Sequence, residues 1–288
     1  MQQITIISGK GGTGKTSFTS AFASLAKNAV FADCDVDAAD LYLTLQPDNK
    51  REEVFPGSFT AEIDPDTCTQ CGICRDYCRF DAISDNGNGF RVSPFSCEGC
   101  GLCKLVCPAD AVSLTQSQTS RWYSGQTRFG PMVHAKLGVA EDLSGKLVTL
   151  VRDKARALAQ EQHKDLLIAD GPPGVGCPVI ASVTGTDKVV VITEPTRSGL
   201  HDLKRVVELA HSFETRISVI INKYDINTDV ADEIERFCRE NNILLAGKIP
   251  FNKMMVDAMV NQQTITEYAP GSELALDLRT IWQRIEKM

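Results

Sequence analysis

A glycine-rich loop near the start of the chain constrains the fold more than any other feature. The apolar run "ITII" leads into "SGKGGTGKTS", which fits two patterns at once. As Gly9-x-Gly11-x-x-Gly14 it fits a dinucleotide fingerprint, and as Gly9 followed by Gly14-Lys15-Thr16 it fits a phosphate-binding loop. Both patterns need a strand, a turn and a helix in that order, so the loop predicts an α/β fold.

Residues farther along the chain favour the phosphate-binding loop. Lys15 can reach the terminal phosphates of a nucleotide, and the hydroxyl of Thr16 can bind Mg²⁺. The apolar run "LLIAD" ends in Asp170 and is followed by "GPPG". Asp170 can orient a magnesium-bound water there, and Gly174 lets a backbone N–H approach a γ-phosphate. A dinucleotide site could use an acidic residue near position 35, but it would explain neither Lys15 nor Thr16.

Apolar strands alternate with helices on both sides of a cysteine-rich segment. Strands are expected at "ITIIS", "AVFADCD", "KLVTLV", "DLLIAD", "KVVVIT", "RISVIIN" and "ILLAGKIP", and helices at 16–27, 152–162, 199–213, 229–240, 253–261 and 272–287. This alternation predicts a mostly parallel sheet covered by helices on both faces. We expect residues 1–57 and 119–288 to form this α/β domain, and residues 58–118 to be an inserted small α+β domain.

The inserted segment carries two runs of cysteine with the same spacing, Cys-x-x-Cys-x-x-Cys-x-x-x-Cys. In bacterial ferredoxins this spacing holds two 4Fe–4S clusters, and the fourth cysteine of each run binds the other cluster. The first cluster is therefore expected on Cys68, Cys71, Cys74 and Cys107, and the second on Cys78, Cys97, Cys100 and Cys103. Zinc knuckles would leave the triplets unexplained, and disulfides are rare in the cytosol. Arg79 stands where proline usually follows the first run.

Three cysteines lie outside these runs. Cys238 falls at an apolar position of a predicted helix and is expected in the core. Cys34 and Cys177 lie beside the loops expected to respond to phosphate, where a redox or metal role is an alternative. We expect both to be small buried residues.

The motifs "GKGGTGKT", "DCDVDAADL" and "DGPPG" resemble those of the MinD, ParA, Mrp and nitrogenase iron-protein group of P-loop ATPases with a deviant Walker A motif. The resemblance spans nearly the whole chain outside the insertion. It implies that ATP lies between two subunits of an ATP-dependent homodimer and that Lys10 reaches the partner's nucleotide. It also implies that Asp35 positions the attacking water. A second lysine there would stabilise charge on the transferring phosphoryl group.

The expected catalytic residues are thus Lys10, Lys15 and Asp35, and the expected magnesium site comprises Thr16, Asp35 and Asp170. Nucleotide binding is expected from Gly9, Lys10, Gly11, Gly12, Thr13, Gly14, Lys15, Thr16, Ser17, Gly174 and Asn222. Asp33 and Asp40 are weaker candidates, and either is open to a plain structural role. Asn222 resembles the family's adenine-contacting asparagine, although "NKYD" also matches the guanine-specific N-K-x-D pattern. The resemblance favours ATP.

The combination predicts an ATPase whose nucleotide cycle gates electron transfer from two 4Fe–4S clusters to a redox protein partner. One alternative is an iron–sulfur carrier resembling Mrp, which would use a short Cys-x-x-Cys on the ATPase body. Another is a MinD-like positioning ATPase with a redox-sensing module, acting through the apolar face of the C-terminal helix. That helix carries balanced charge, and membrane-surface helices are usually basic, so packing on the sheet is expected instead.

Charge and hydropathy exclude further classes. The net charge of −7 argues against general nucleic-acid binding. Residues 58–118 hold eight acidic and four basic side chains, which favours a basic partner. No apolar run approaches the ~20 residues that span a bilayer, so a cytoplasmic protein without membrane association is expected. Residues 119–145 show no chemistry; a hairpin around Ser124-Gly125 is expected there, with a structural His134.

Overall fold

The computed structural model describes residues 1–139, 141 and 143–288. The strands are β1 Gln2–Ser8, β2 Ala29–Asp33, β3 Arg51–Phe55, β4 Phe59–Ile63, β5 Ile83–Asp85, β6 Phe90–Val92, β7 Val112–Gln116, β8 Ser120–Gln126, β9 Pro131–Lys136, β10 Leu166–Pro173, β11 Lys188–Thr193, β12 Arg216–Asn222 and β13 Leu244–Ile249. The helices are α1 Lys15–Leu25, α2 Leu41–Leu45, α3 Ile73–Asp76, α4 Leu102–Leu105, α5 Ser144–Glu161, α6 Cys177–Val183, α7 Arg197–His211, α8 Thr228–Glu240, α9 Met254–Val260, α10 Ile265–Tyr268 and α11 Glu273–Lys287.

The chain divides into two units. The first comprises Met1–Glu52, Trp122–Lys136 and Ser144–Met288, and the second comprises Glu53–Arg121 and Leu137–Leu143. The second unit contains both cysteine runs. It also takes in Leu137–Leu143, which the sequence analysis placed with the α/β domain.

The first unit is built on a sheet of nine strands in the order β13-β12-β11-β1-β10-β2-β9-β8-β3. The seven strands from β13 to β9 pair in parallel. The predicted α/β fold with a mostly parallel sheet is therefore confirmed. Because carboxyl ends of parallel strands meet at one edge, the loops after β1, β2 and β10 come together there.

Both faces of this sheet are buried under helices. On β11, Val190 and Ile192 belong to one hydrophobic core, whereas Val189 and Val191 belong to the other. Successive side chains of a strand point to opposite faces, which explains the continuous apolar runs of the sequence. The first core includes residues of α1 and α11, and the second includes residues of α6, α7 and α8.

Two local predictions were wrong. The run "KLVTLV" lies within helix α5, where Leu147, Val148 and Val151 are buried at helical spacing. A short apolar run of this kind fits a strand and a buried helix equally well.

The turn between β8 and β9 falls at Thr127–Gly130, where Thr127 N–H donates to the Gly130 carbonyl at 2.9 Å, instead of at Ser124-Gly125.

The apolar face of helix α11 lies inside the first core. Its residues Leu274, Leu278, Ile281, Trp282 and Ile285 are at most 4% exposed. The ring of Trp282 stacks on Phe22 of helix α1. Packing of this helix on the sheet is as expected. Among the described residues, no helix combines the length and the hydropathy needed to cross a bilayer.

Where the structure describes it, the second unit contains two antiparallel strand pairs and two one-turn helices. Strand β4 pairs with β7 and strand β5 with β6. Since β4 begins the cysteine-rich segment and β7 ends it, this pairing brings the two ends of the segment side by side. Gly57 N–H donates to Ser117 O at 2.8 Å just beyond them. A segment with adjacent ends can interrupt another domain without displacing its elements.

His134 is a buried structural residue that makes the stability of the protein depend on pH. Its ring stacks between those of Tyr42 and Tyr123, and its Nε2 lies 2.9 Å from Asn49 Oδ1. Burial lowers the pKa of His134 from 6.5 to about 4. The unfolded chain therefore binds a proton between pH 6.5 and 4 that the folded protein does not, and stability falls as the pH falls through this window.

We expect His134 to contribute a loss of about 2 kcal/mol in unfolding free energy between pH 7.5 and pH 5. Urea unfolding of the wild type and of His134→Gln at both pH values measures the contribution of His134 to the unfolding free energy, because the variant lacks the titrating ring. His163→Gln, at an exposed histidine, is the matched control and should keep the pH dependence of the wild type. An unchanged pH dependence in His134→Gln would contradict the assignment.

Candidate functional site

The phosphate loop connects the end of β1 to the start of α1. Two of its glycines, Gly12 and Gly14, have left-handed backbone conformations with φ of 80° and 88°. A Cβ atom on Gly14 would lie 2.8 Å from Asn222 Nδ2. Glycine is thus needed at position 14 both for the backbone conformation and for the approach of strand β12. The first residues of α1 line the cavity above this loop, and a helix N-terminus is a favourable site for phosphate.

Lys15 is buried between two carboxylates. Its Nζ lies 3.0 Å from Asp170 Oδ1 and 3.3 Å from Asp35 Oδ2. Burial alone would lower the pKa of Lys15, but attraction to Asp170 and Asp35 outweighs it and raises that pKa. The lysine is therefore charged. Two buried carboxylates thus hold the charged Nζ in place, as a phosphate-binding group requires.

Asp170 joins the phosphate loop to strand β10. The hydroxyl of Thr16 donates to Asp170 Oδ2 at 2.7 Å, and the hydroxyl of Thr19 donates to Oδ1 at 2.7 Å. Asp170 is fully buried. The sequence predicted Thr16 and Asp170 as neighbours but gave no indication of Thr19, which lies one helical turn beyond Thr16.

Asp33 is the last residue of strand β2 and Asp35 lies two residues later in the loop, and the two side chains have different surroundings. Asp33 is fully buried and accepts hydrogen bonds from the N–H groups of Asp35 and Leu41, at 3.2 and 3.0 Å. Burial, and then the nearby Asp170, raise the pKa of Asp33 well above its usual value. Asp33 therefore holds the loop between β2 and α2 in place. Asp35 faces the cavity instead, and burial raises its pKa although Lys15 opposes the shift.

A cavity of about 440 Å³ opens over the phosphate loop. Its lining comprises Ser8, Gly11, Gly12, Thr13, Gly14, Lys15, Thr16, Ser17, Asp35, Asp37, Ala38, Asp40, Pro172, Pro173, Pro178 and Met259. Sequence analysis missed Met259, whose Sδ accepts a hydrogen bond from the Ser17 hydroxyl at 2.7 Å. No motif marks a methionine of helix α9, more than two hundred residues away, so only the tertiary structure brings it here.

Three predicted residues lie behind or beside the cavity. Asn222 is buried, and its Nδ2 donates to the Thr13 carbonyl at 2.8 Å, so its amide supports the phosphate loop. Gly174 has a φ of 93°, as expected of a glycine-dependent turn, but its N–H donates to the Ser8 carbonyl at 2.8 Å. That N–H is therefore engaged in this conformation and does not face the cavity. Gly9 packs against Asp202.

Lys10 is partly exposed beside the loop. Its Nζ lies 4.0 Å from Glu194 Oε2, and the other oxygen of Glu194 accepts from Lys223 Nζ. Sequence analysis missed Glu194, which follows strand β11. Asp225, the last residue of "NKYD", is exposed and accepts a hydrogen bond from Phe251 N–H at 2.6 Å. One oxygen of this carboxylate is thus already occupied by backbone.

The second unit contains two cavities, and four cysteines line each of them. One is lined by Cys68, Cys71, Cys74 and Cys107, together with apolar residues such as Ile63 and Val112. The other is lined by Cys78, Cys97, Cys100 and Cys103, together with Ala61, Phe80 and Val92. In both cavities the structure brings together three cysteines of one run and the fourth of the other. All eight are free thiols.

Backbone N–H groups and glycines lie close to the thiols in both cavities. Ala61 N–H donates to Cys97 Sγ at 3.5 Å, and Ala111 N–H donates to Cys107 Sγ at 3.3 Å. Gly72 and Gly101 occupy equivalent left-handed positions with φ of 79° and 76°. At Gly99 a Cβ atom would overlap the carbonyl of Phe59. Glycine is therefore required where the cysteine loops turn against neighbouring backbone.

The thiols influence one another electrostatically. Burial and then the proximity of Cys68, Cys107 and Cys71 raise the pKa of Cys74, against a lowering hydrogen bond from Arg75 N–H. Within residues 1–139, 141 and 143–288, no group of three or more His, Cys, Asp or Glu side chains has the geometry of a metal-ion site.

The remaining cysteines are divided between core and surface. Cys34 and Cys238 are buried, and burial raises the pKa of each to about 12. Cys177 is exposed at the first position of helix α6, so its predicted burial was wrong. Cys177 starts helix α6 at the surface, whereas Val179 and Val183 of the same helix lie in the core.

The phosphate loop joins the first strand of a parallel sheet to its first helix, and Asp170 of strand β10 lies against it. This arrangement defines a P-loop nucleotide-binding protein. The chain belongs to the CobQ/CobB/MinD/ParA family of nucleotide-binding domains, whose profile matches residues 4–265. This confirms the family predicted from the three motifs, the class that contains the MinD- and ParA-type ATPases.

The chain is also similar to a relative in sequence and to solved structures in fold. The chain is 39% identical over 232 residues to the uncharacterized protein MJ0578 of Methanocaldococcus jannaschii, covering 79% of this chain and 80% of that protein. The septum site-determining protein MinD from Pyrococcus horikoshii, solved with Mg-ADP, has the same fold with a TM-score of 0.58 and 18% identity over 99% of this chain and 96% of that one. A chain of the MinC:MinD cell division protein complex of Aquifex aeolicus has the same fold, with a TM-score of 0.59 and 17% identity over 100% of this chain and 97% of that one.

Proposed function

We propose that this protein binds and hydrolyses MgATP at the phosphate loop, and that its nucleotide state controls electron transfer through two 4Fe–4S clusters to a redox protein. One observation carries the proposal: a chain with a P-loop nucleotide site also forms two cavities that each present four free cysteine thiols. Neither feature alone calls for the other. Their presence in one chain calls for a function that uses both.

The nucleotide half of the proposal assigns a role to each polar group of the cavity. Lys15 would neutralise the β- and γ-phosphates, since its charged side chain lines the cavity over the phosphate loop. Asp35 would orient the attacking water. The P. horikoshii MinD solved with Mg-ADP supports a magnesium–adenine nucleotide. The contacts of Asp225 also favour adenine over guanine. The backbone N–H of Phe251 already donates to the carboxylate that would bind guanine.

Thr16, Asp170 and Asp35 would hold the magnesium ion, which would supply positive charge against the phosphate oxygens. The hydroxyl of Thr16 and both oxygens of Asp170 converge beside Lys15. Oxygen ligands of this kind are those Mg²⁺ prefers. The donor set therefore fits the ion.

The cluster half of the proposal uses the two cysteine groupings. Cys68, Cys71, Cys74 and Cys107 would hold one cluster, and Cys78, Cys97, Cys100 and Cys103 the other. A 4Fe–4S cluster supplies reversible one-electron transfer. The protein would supply apolar walls that exclude water and N–H groups that stabilise thiolate charge, such as those of Ala61 and Ala111. Both features tune the reduction potential of such a cluster.

Connectivity offers a short path between the two halves. Only helix α2 and strand β3 separate the Asp35 loop from the cysteine-rich segment in the chain. A loop that becomes ordered around a γ-phosphate and relaxes on hydrolysis is a common switching element. Nucleotide-driven movement of residues 35–40 would therefore be transmitted through few intervening residues.

The carrier and positioning alternatives have less support. Outside the insertion the chain holds Cys34, Cys177 and Cys238, which form no Cys-x-x-Cys pair. A bridging cluster of the Mrp type thus lacks ligands on the ATPase body. The apolar face of α11, on which a membrane-positioning role would depend, is buried in the core.

Lys10 provides a test of the ATP-dependent homodimer. In the single chain its Nζ lies near Glu194, so reaching another subunit's nucleotide requires it to leave that carboxylate. Lys10→Ala should retain nucleotide binding but lose at least ~100-fold in turnover, the effect expected for a transition-state donor. Equilibrium binding, steady-state hydrolysis and ultracentrifugation with MgATP measure the three properties.

Lys27→Ala, at an exposed lysine just after helix α1, is the control for loss of a surface charge. Normal turnover by a dilute, monomeric Lys10→Ala protein would contradict the shared site.

The coupling itself is tested anaerobically with protein that carries about eight irons per chain. MgATP hydrolysis is measured with the clusters oxidised and then reduced, and the Lys15→Ala protein provides the background rate. A redox-dependent rate is expected. Equal rates in both states, with normal iron content, would contradict nucleotide-gated electron transfer while leaving the ATPase assignment intact.

A further inference from the structure

The two cysteine runs form an internal repeat with a period of 29 residues. Cys68, Cys71, Cys74 and Cys78 of the first half correspond to Cys97, Cys100, Cys103 and Cys107 of the second. The structure repeats as well: helices α3 and α4 each begin after a left-handed glycine and each contain the third cysteine of their run. Corresponding positions in the two halves can therefore be compared directly.

The halves differ in what they expose to solvent. Phe95, two residues before Cys97, is 77% exposed, and Leu105, two residues after Cys103, is 83% exposed. The corresponding positions of the first half are Asp66 and Asp76, which are also exposed. Exposing apolar side chains to this degree is unfavourable in water, and Asp66 and Asp76 show that the repeat does not need apolar residues at these two positions.

Further exposed aromatic rings lie around the same cavity. Phe80 is 43% exposed and lines the cavity of Cys78, Cys97, Cys100 and Cys103; the corresponding residue in the other half is Ala109. Phe59, at 44% exposure, has its backbone against Gly99. Phe80 lines this cavity, and Phe59, Phe95 and Leu105 each lie two residues along the chain from a residue that lines it.

We infer that this apolar face, defined by Phe59, Phe80, Phe95 and Leu105, is the docking surface for a basic redox protein that carries a one-electron acceptor. The inference rests on the proposed function, because it assigns an exit to the electrons of the clusters. The cluster held by Cys78, Cys97, Cys100 and Cys103 would lose one electron, and the partner's centre would gain it. No bond forms or breaks.

Charge identifies the kind of partner. Residues 58–118 hold eight acidic and four basic side chains, so the segment that carries the apolar face has an excess of acidic groups. An apolar centre with a charged surround is the usual anatomy of an interface, and complementary charge speeds encounter. A partner with an apolar patch ringed by Lys and Arg fits it. A second copy of this chain fits less well, because each copy carries a net charge of −7 and like charges repel.

The test replaces the second-half residues by those of the first half, in the double variant Phe95→Asp/Leu105→Asp. A basic c-type cytochrome serves as the acceptor protein, and the small dye dichlorophenolindophenol as an acceptor that needs no docking. The reduced protein, freed of reductant, is mixed with each acceptor by stopped flow. We expect the second-order rate with cytochrome to fall at least ~10-fold, as for loss of central apolar contacts, and the rate with dye to stay unchanged.

The sign of the effect separates docking from charge. Two added carboxylates strengthen long-range attraction to a basic protein, so a slower reaction can only reflect lost contact. Leu276→Asp, at a 55% exposed leucine of helix α11, is the matched control and should react like the wild type. Iron content and dye reduction establish that each variant is folded and loaded.

Each other outcome overturns a specific statement. An unchanged cytochrome rate in the double variant, with normal dye reduction, would overturn the docking surface and leave the proposed function standing. A wild-type protein that binds no iron or reduces neither acceptor would overturn the proposed function itself. If the wild type is a nucleotide-free dimer by ultracentrifugation and the double variant a monomer, the face is a contact between copies of this chain, and the inference is also overturned.

Discussion

Replacing Lys15 with alanine is expected to lower MgATP hydrolysis at least ~100-fold while the protein keeps about eight irons per chain. The buried ammonium lies 3.0 Å from Asp170 and 3.3 Å from Asp35, and no other cation lines the described part of the cavity. Phosphate charge in the variant would therefore face carboxylates alone. Steady-state hydrolysis and iron analysis of the same preparation measure the two properties.

Loss of Lys15 also leaves buried carboxylates without their partner, which can destabilise a fold by ~3–5 kcal/mol. Lys15→Arg keeps the positive charge but presents a planar, bulkier group, so it should fold and still be inactive. Lys188→Met is the matched control, since Lys188 is an equally buried lysine that donates to carbonyls of helix α11, far along the sheet from the loop. Hydrolysis by Lys15→Arg at the wild-type rate would contradict the assignment.

Two double variants are expected to differ sharply in iron content. Cys71→Ala/Cys107→Ala removes two ligands from one predicted cluster and should leave the other intact, with about four irons per chain. Cys71→Ala/Cys78→Ala removes one ligand from each cluster and should damage both. Iron and sulfide analysis, with electron paramagnetic resonance of the reduced proteins, distinguishes one intact cluster from two damaged ones.

The pair is internally controlled, because each variant removes two cysteines and shares the Cys71 change. If each run bound its own cluster, the results would be exchanged: Cys71→Ala/Cys78→Ala would keep one intact cluster. The crossed grouping in the two cavities favours the first outcome. Equal iron content in both variants would contradict assignment of these cysteines to two separate clusters. Cys177→Ala, at an exposed cysteine outside the runs, should keep about eight irons.

Motifs whose function depends on neighbours in sequence were predicted well. The phosphate loop lies between a strand and a helix because its glycines adopt conformations that only glycine favours, which makes them visible in the sequence. Strand β10 was predicted because continuous apolar residues need cover on both faces. The segment "KLVTLV" was mistaken for a strand because a six-residue window cannot distinguish two periodicities.

Contacts between distant segments were not predictable in the same way. Glu194 beside Lys10, Met259 against Ser17, and the backbone N–H of Phe251 on Asp225 all join residues from separate strands or helices. None of these partners carries a motif. The engagement of Gly174 N–H by the Ser8 carbonyl likewise depends on how two strands end, which local sequence does not specify.

The sequence by itself determined the class of fold, the phosphate loop and the candidate cluster cysteines, because each depends on residue type at fixed short spacing. Only the tertiary structure decided which carboxylate holds a loop and which faces the cavity, since Asp33 and Asp35 differ in burial and partners instead of chemistry. It also showed the apolar face around one cysteine cavity. The solvent exposure of an apolar side chain results from packing over the whole chain, so a short window of sequence does not predict it.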